Sequence, residues 1–500
     1  MDTIVAALLL LADPYVIVLI LLASLYGLFV GAIPGLTAAM AIALLVPVTF
    51  FMPPVPALAV IVTTAAMAIF AGDIPGALLR IPGTPASAAY ADEAYAMTKN
   101  GQGEIALGAG VVFSAIGGII GTIALVTSAP ALAEVALRFS SFEYFWLVCL
   151  GLTCGVFIAS GSQTKSIISL LLGLFVATIG MENPAAYPRL SFGSVDLSGG
   201  IDMIPAMIGM FAIAEILRVV SQPNTNPPIP YKPRGRIFAG QWELTKRYPV
   251  QWLRGSAIGT VVGALPGAGC DIAAWMAYGT SKYFSKEKEK FGKGHPEGIV
   301  EAGAANNASV SGDWIPALVF GIPGDSITAI VIGVLYLKNL NPGPMIFQNQ
   351  PELVTAVFIV FFIANLLMVP FGWLAIKASV HVLRVPRLIL MPIILMFCMV
   401  GAFSITNSPF AIAIMLVFGI LGFVMEENGF PVAPAILGIV LGPMLEQNFF
   451  NSMIKADGDP LAFFARPIAG ALGIFTIALW ALMLWFAMRA SRSERRTAPS

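Results

Sequence analysis

The chain has 500 residues, of which 58% are hydrophobic and only 11% charged, and 27 basic residues balance 27 acidic ones. Soluble domains carry roughly 25% charged residues, so this composition excludes an ordinary water-soluble protein. The alternation of apolar and polar residues that a membrane β-barrel needs is not seen either.

The apolar stretches are long enough to cross a bilayer. The first residues, "MDTIVAALLLLADP", contain no Lys or Arg and lack the basic region of a cleavable signal peptide, so we expect them to be retained. No charged residue lies between Glu104 and Glu134, a run longer than the roughly 20 residues that one span requires. Similar stretches recur at 15–33, 143–160, 203–217, 353–376, 388–406, 409–425 and 463–488. They predict an all-α polytopic membrane protein with about 12 transmembrane helices.

Four segments of the first half recur in the same order in the second half. "AGDIPGALLRIPGTPAS" (71–87) resembles "SGDWIPALVFGIPGDSI" (311–327), and "GLFVGAIPGLT" (27–37) resembles "GTVVGALPGAG" (259–269). Two further pairs follow, 175–186 with 421–433 and 204–217 with 433–447. Shared Gly, Pro, Asp and Glu positions indicate a duplication. We predict a first repeat at 1–220, a basic linker at 221–254, a second repeat at 255–450, and a final helix with a basic tail at 451–500.

The distribution of charge indicates that the two repeats are inverted. Residues 231–254 contain six basic residues against one Glu, and the tail after Met488 contains four Arg against one Glu. Short Lys- and Arg-rich segments lie in the cytoplasm, which places the linker and the tail there. Since 463–488 crosses once, the second repeat begins inside and ends outside. A first repeat of the same kind then begins outside, which suits its uncharged N-terminus.

Inverted repeats with interrupted helices are typical of secondary transporters, whose binding site lies near the middle of the membrane. Proline within a helix removes a backbone hydrogen bond, and such breaks survive in a membrane only where protein or a water-filled cavity surrounds them. We therefore expect broken or re-entrant helices at the repeated Pro-Gly and Ile-Pro-Gly segments, and we expect them to form the site.

In the first repeat, "RIPGTPAS" has the pattern of an anion site. Thr84 before Pro85 predicts the cap and first residue of a helix, whose N–H groups would bind a carboxylate. Arg80 would add a bidentate donor, although a role as partner of Asp73 or as an anchor at the lipid interface is an alternative. The predicted substrate contacts are Arg80, Gly83, Thr84, Ser87 and the two breaks Pro34–Gly35 and Pro266–Gly267.

The second repeat is acidic where the first is not. Asp325 stands in the place of Thr84, Asp271 follows the second Pro-Gly, and Asp313 is expected to correspond to Asp73. Carboxylates within a membrane indicate function, and capping of a helix end by Asp325 is the alternative. The predicted ligands of a coupling Na+ or H+ are Asp73, Asp271, Asn306, Asn307, Asp313 and Asp325.

These segments resemble the large membrane subunit of bacterial tripartite tricarboxylate transporters, the TctA family, over essentially the whole chain. The Gly-x3-Gly-x2-Pro-Gly pattern begins at Gly27 and again at Gly259. The resemblance implies a bacterial inner-membrane protein that takes up carboxylates such as citrate with a coupling cation. It also implies two partners, a small membrane subunit (TctB-like) and a periplasmic solute-binding protein (TctC-like), and no nucleic acid.

Other functions are less consistent with the sequence. There is no phosphate-binding Gly-Lys-Ser/Thr loop, no metal-ligand spacing, no HExxH and no nucleophile–base pair, so neither ATP hydrolysis nor a catalytic site is expected. We expect no cofactor beyond the coupling ion. A cation/proton antiporter or a channel without an organic substrate is the main alternative, and an intramembrane enzyme is the second.

Overall fold

The computed structural model describes residues 2–33, 36–158, 162–181, 187–221, 237–382 and 387–497. These parts of the chain are helical and contain no β-strand, only an isolated bridge between Gly180 and Arg189. The predicted all-α fold class is confirmed. Of the predicted basic linker at 221–254, the structure describes residue 221 and residues 237–254.

The described residues form 23 α-helices. The α-helices are α1 (Asp2–Leu11), α2 (Pro14–Ala32), α3 (Ala38–Phe50), α4 (Pro54–Ala71), α5 (Asp73–Leu79), α6 (Ala91–Lys99), α7 (Gly103–Ala136), α8 (Ser141–Ile158), α9 (Gln163–Ala177), α10 (Val195–Ser198), α11 (Met203–Ile208), α12 (Ala214–Ser221), α13 (Gln241–Arg247), α14 (Pro249–Gly263), α15 (Gly269–Phe284), α16 (Pro296–Phe320), α17 (Ser326–Leu337), α18 (Ile346–Asn349), α19 (Pro351–Val382), α20 (Arg387–Thr406), α21 (Pro409–Glu427), α22 (Val432–Lys455) and α23 (Pro467–Thr497). A π-helical turn, Gly209–Ile213, joins α11 to α12 without a break.

Seven helical segments in the described part of the chain are long and apolar enough to cross a membrane. They are Pro14–Ala32, Pro54–Leu79, Gly103–Ala136, Met203–Ser221, Pro351–Ser379, Pro409–Glu427 and Val432–Lys455. Shorter apolar helices accompany them, among them α3 and α17. The chain is thus a polytopic membrane protein, in which short helices alternate with full-length ones.

The chain folds into two compact units, one of residues 1–134 and 203–424 and the other of residues 135–202 and 425–500. In the second unit, Trp146 and Phe463 form a small aromatic core beside α22 and α23. In the first unit, α4 and α16 bury almost every residue. A helix buried all round belongs at the centre of its unit, and α16 carries Asn306, Asn307 and Asp313 of the site described below.

Close backbone contacts at glycines fix the direction of the central helices. A Cβ added at Gly27 or Gly31 of α2 would lie within 2.8 Å of the Thr64 or Ala68 carbonyl oxygen of α4. The glycines of α14 contact α16 in the same way. The contacts pair Gly255 with the carbonyl oxygen of Glu301, Gly259 with that of Ala305, and Gly263 with that of Ser309. In each pair of helices, contacting positions increase by four residues in the same direction along both helices. Helix α2 therefore runs parallel to α4, and α14 runs parallel to α16.

Two similar helix groups result. The connections on either side of α3 are short, and the Ser285 hydroxyl at the end of α15 donates to Glu297 at the start of α16 at 2.6 Å. Helices α3 and α15 therefore run back between their parallel neighbours. We call α2–α3–α4 the first trio and α14–α15–α16 the second trio. The spaced glycines thus allow close helix packing, and the two trios occupy corresponding places in the two predicted repeats.

Candidate functional site

The loops that follow α5 and α16 begin with the same backbone conformation. Arg80 ends α5 with φ 59° and Gly321 ends α16 with φ 69°, both left-handed. The Arg80 N–H donates to the carbonyl four residues earlier, and the N–H of the next residue donates to the Pro75 carbonyl. In the second loop, the Gly321 N–H donates to the Ala317 carbonyl, and the N–H of the next residue donates to the Pro316 carbonyl. This pattern closes a helix end by pairing its last carbonyls. The first Ile-Pro-Gly segment therefore folds like the second.

The glycine of each Ile-Pro-Gly then packs against the helix before it. A Cβ at Gly83 would lie 2.7 Å from the Gly72 Cα, and one at Gly324 would lie 2.9 Å from the Asp313 Cα. Asp313 thus occupies the place of Gly72, and the expected equivalence of Asp313 and Asp73 is wrong. The reason is visible in the sequence, because "GDIP" has one residue fewer than "GDWIP" between Asp and Pro.

The second loop ends in a true helix start. The Asp325 carboxylate accepts the Thr328 N–H at 2.8 Å, and the Thr328 hydroxyl accepts the Asp325 N–H at 2.9 Å. This reciprocal capping box begins α17, which has 12 residues. The capping interpretation of Asp325 is confirmed.

The first loop forms the predicted cap at Thr84, but the helix expected after it is only a short turn. The Thr84 hydroxyl accepts the Ser87 N–H at 3.1 Å and the Ser87 hydroxyl accepts the Thr84 N–H at 3.2 Å, the same reciprocal pattern as at Asp325 and Thr328. The Ala88 N–H closes the turn on the Thr84 carbonyl at 3.3 Å. Only a single 3₁₀ turn, Ser87–Ala89, forms before α6, so the expected dipole of a half-helix is missing here.

The start of α15 lies between the two loops. The Asp271 carboxylate accepts the backbone N–H of Ala86 at 3.2 Å, and the Trp275 indole donates to the Pro85 carbonyl at 3.2 Å. Asp313 and Asp325 lie close enough to interact with Asp271 and with each other. We call Asp271, Asp313, Asp325 and the Thr84–Ala86 backbone the tip cluster. It brings together residues that the sequence analysis had assigned to different ligands.

A second polar group lies between α5 and α16. The Tyr90 hydroxyl donates to the Asp73 carboxylate at 2.6 Å, and the Asn306 amide donates to the same hydroxyl at 3.2 Å. Asn307, next in the chain, donates to the Ala66 carbonyl of α4 at 3.0 Å. We call Asp73, Tyr90, Asn306 and Asn307 the Asp73 cluster. Its residues are almost completely buried.

Several oxygens in both clusters have no hydrogen-bond partner in the structure. They are Asp73 Oδ2, Asn306 Oδ1, Asn307 Oδ1 and Asp313 Oδ1, joined by the hydroxyls of Thr63 and Thr64 on α4. An unpaired buried polar group is costly, and most buried polar atoms in native proteins are paired. All of these atoms are oxygens that can accept a hydrogen bond or bind a hard cation, and the two carboxylates can also take up a proton.

The other predicted substrate contacts are Arg80 and the two Pro-Gly breaks. Arg80 is exposed and forms an ion pair with Asp92 at 2.7 Å, not with Asp73. Its binding of a substrate carboxylate stays a prediction. Gly267 follows Pro266 at the break between α14 and α15 with φ 82°. Pro34 and Gly35 lie outside the described residues.

Two contributors, Tyr90 and Trp275, were missed. Both are aromatic residues, and their polar atoms matter only because the fold places them beside Asp73 and Pro85. A weak signal exists for Tyr90, which follows the Ile-Pro-Gly-Thr-Pro segment within a few residues. No comparable signal marks Trp275.

Comparison with known proteins gives a consistent result. The model of the tripartite tricarboxylate transporter TctA family matches residues 17–437. An uncharacterized 52.8 kDa protein in the TAR-I ttuC' 3' region of Agrobacterium vitis is 33% identical over 94% of this chain and 93% of its own length. An uncharacterized protein in the TAR-II ttuC' 3' region of the same organism is 36% identical over 47% of this chain and 98% of its own length. No solved structure matches the chain.

Proposed function

Since the chain belongs to the tripartite tricarboxylate transporter TctA family, the large subunit of such transporters, we propose that it takes up di- or tricarboxylates across the bacterial inner membrane together with a coupling Na+ or H+. It would work with a small membrane subunit and a periplasmic solute-binding protein, as the family implies. TctA is a family of transporters, and transport of a solute is the reaction that the two clusters would serve.

The observation that supports this function best is the hydrogen bond between Asp271 and Ala86. It joins the broken segment of the second repeat to that of the first, at the level where α15 begins. The Ala86 N–H is the kind of backbone donor that a substrate carboxylate would use. In the structure a carboxylate of the chain itself, that of Asp271, binds this donor.

If an anionic substrate is to take the place of the Asp271 carboxylate at the Ala86 N–H, a positive charge must bind nearby. Like charges in a poorly hydrated site repel strongly, and the tip cluster already holds the carboxyl groups of Asp313 and Asp325. Binding of Na+ or H+ to these groups would remove the repulsion. Substrate and coupling ion would then bind cooperatively, which is a reciprocal coupling of two sites.

The Asp73 cluster offers a second place for a coupling ion. Asp73 and Asn306 contribute unpaired oxygens, and Tyr90 connects them. A cation or proton bound there would lie between α5 of the first repeat and α16 of the second. The binding free energy would thus contribute to the contact between the repeats.

Uptake of labelled citrate into membrane vesicles that contain all three subunits tests the proposal. We expect uptake to require the binding protein and to depend on a sodium or proton gradient. Asp271→Asn should weaken this dependence, because it removes the charge that the ion neutralises, whereas Asp92→Asn, at an exposed position on α6, should not. An ion flux without citrate uptake would favour the antiporter or channel, and a chemically altered substrate would favour an enzyme.

A further inference from the structure

A buried carboxylate outside both clusters connects the two repeats. Glu93 lies on α6 of the first repeat, is fully buried, and accepts four hydrogen bonds. All four donors belong to the second repeat. One oxygen binds the Tyr278 hydroxyl at 2.9 Å and the Gly292 N–H, and the other binds the N–H groups of Gly294 at 2.7 Å and His295 at 2.8 Å.

The segment that surrounds Glu93 is shaped for an anion. Gly292 and Gly294 have φ values of 83° and 97°, a conformation that other residues rarely adopt. Successive N–H groups arranged in this way form a concave anion site. Tyr278 packs its ring against Phe291 and supports the same concavity. The sequence "FGKGH" therefore folds into a pocket that the first repeat fills with Glu93.

The contact between Glu93 and residues 291–295 lies next to the elements that carry the site. Residues 285–295 connect α15 to α16, the two helices that carry Asp271 and Asp313. α6 follows directly after the first loop of the tip cluster. The contact therefore joins the two sides of the site at the end that the Lys-rich segment 286–293 predicts to be cytoplasmic.

We propose that Glu93 is a latch that keeps the site closed toward the cytoplasm in this conformation. A transporter must open its site to each side in turn, and opening on this side separates α6 from residues 291–295. The latch provides a defined contact for that step, because a single carboxylate holds four donors and releases them together. The inference requires alternating access, but the measurement below uses no substrate and is independent of the proposed substrate.

Cys270 provides a native reporter for the state of the latch. It precedes Asp271, is 4% exposed, and lies inside the site. In a protein whose other cysteines, Cys149, Cys154 and Cys398, are serine, an impermeant maleimide added to inside-out vesicles should label Cys270 slowly. Glu93→Gln should accelerate labelling by about tenfold or more, the effect of losing one hydrogen bond to a charged group.

Two further variants make the result specific. Asp92→Asn removes a carboxylate at the neighbouring exposed position and should leave the labelling rate unchanged. Tyr278→Phe removes one of the four donors, so it should give a smaller acceleration, and it decides the matter if Glu93→Gln is not recovered in the membrane. An unchanged rate in a well-inserted variant would overturn the latch. Equal acceleration in right-side-out vesicles would also overturn it, because that result indicates general loosening.

Discussion

The segments after α5 and after α16 have the same backbone and different chemistry. Both end a helix with a left-handed residue and press the Ile-Pro-Gly glycine against the preceding backbone. Beyond that glycine they diverge, since Asp325 caps a 12-residue helix whereas Thr84 and Ser87 close a short turn. The two segments thus share a backbone conformation, while the groups that they present are acidic on one side and neutral on the other.

This difference suggests a division of work within one site. Asp313 and Asp325 come from the second repeat, and the backbone N–H of Ala86 that Asp271 binds comes from the first. In the proposed function, cations would be attracted to the acidic half and carboxylates to the donor half, so each ligand would favour the other when both are bound. Equal halves would bind the same ligand twice and would provide no coupling.

The largest expected effect concerns the side of the membrane on which corresponding loops lie. Phe51 follows α3 and Lys286 follows α15, and both are exposed. If the repeats are inverted, Phe51→Cys should react with an impermeant thiol reagent only from outside and Lys286→Cys only from inside. The four native cysteines are replaced by serine in this experiment. Labelling of both positions from one side would contradict the inverted repeat.

The second-largest expected effect concerns the glycine contacts that occupy corresponding positions in the two trios. A Cβ at Gly31 would lie 2.4 Å from the Ala68 oxygen, and one at Gly263 would lie 2.4 Å from the Ser309 oxygen. We expect Gly31→Ala and Gly263→Ala to destabilise the protein by a similar amount, about 1–3 kcal/mol, measured as thermal unfolding in detergent. Gly279→Ala is the control, since nothing lies within 4 Å of that position. A large effect in only one trio would show that the two helix contacts are not equivalent.

The sequence predicted the helical fold and the breaks in helices at the Pro-Gly and Ile-Pro-Gly segments, because local patterns determine these features. It misplaced two features that depend on the register of one element against another. A single extra residue in "GDWIP" moved Asp313 to the place of Gly72, and the helix expected after the Thr84 cap is only a short turn, Ser87–Ala89. Tyr90, Trp275 and Glu93 act across the repeats, over separations of about 190 residues or more, which no local pattern reveals.

Because Asp73 and Asp313 are not equivalent, their neutral variants should differ. Asp313 faces Asp325, so Asp313→Asn should remove a charge that the coupling ion neutralises and should weaken ion dependence by about tenfold or more. Asn at position 73 can still accept from Tyr90, so Asp73→Asn should have a smaller effect on ion dependence. Uptake at varied ion concentration and saturating substrate measures both. Equal losses would place the two carboxylates in one functional unit, and loss of protein from the membrane would indicate a structural role.

The smallest effects are expected where the helix ends correspond, at Arg80 and Gly321. Gly321→Ala puts a side chain on a left-handed residue and near the Pro342 carbonyl, at 3.2 Å, which should cost about 1–2 kcal/mol and lower the unfolding temperature. Arg80→Gly removes the corresponding strain and should not lower it.

The same Arg80→Gly variant decides whether this side chain binds substrate. Arg80 is exposed and already paired with Asp92, and exposed ion pairs contribute little, so we expect the substrate concentration at half-maximal uptake to rise by less than about fivefold. A carboxylate ligand within a desolvated site would instead give a rise of about 30-fold. Such a rise would assign Arg80 to the substrate after all, and it would mean that Asp92 releases Arg80 when substrate binds.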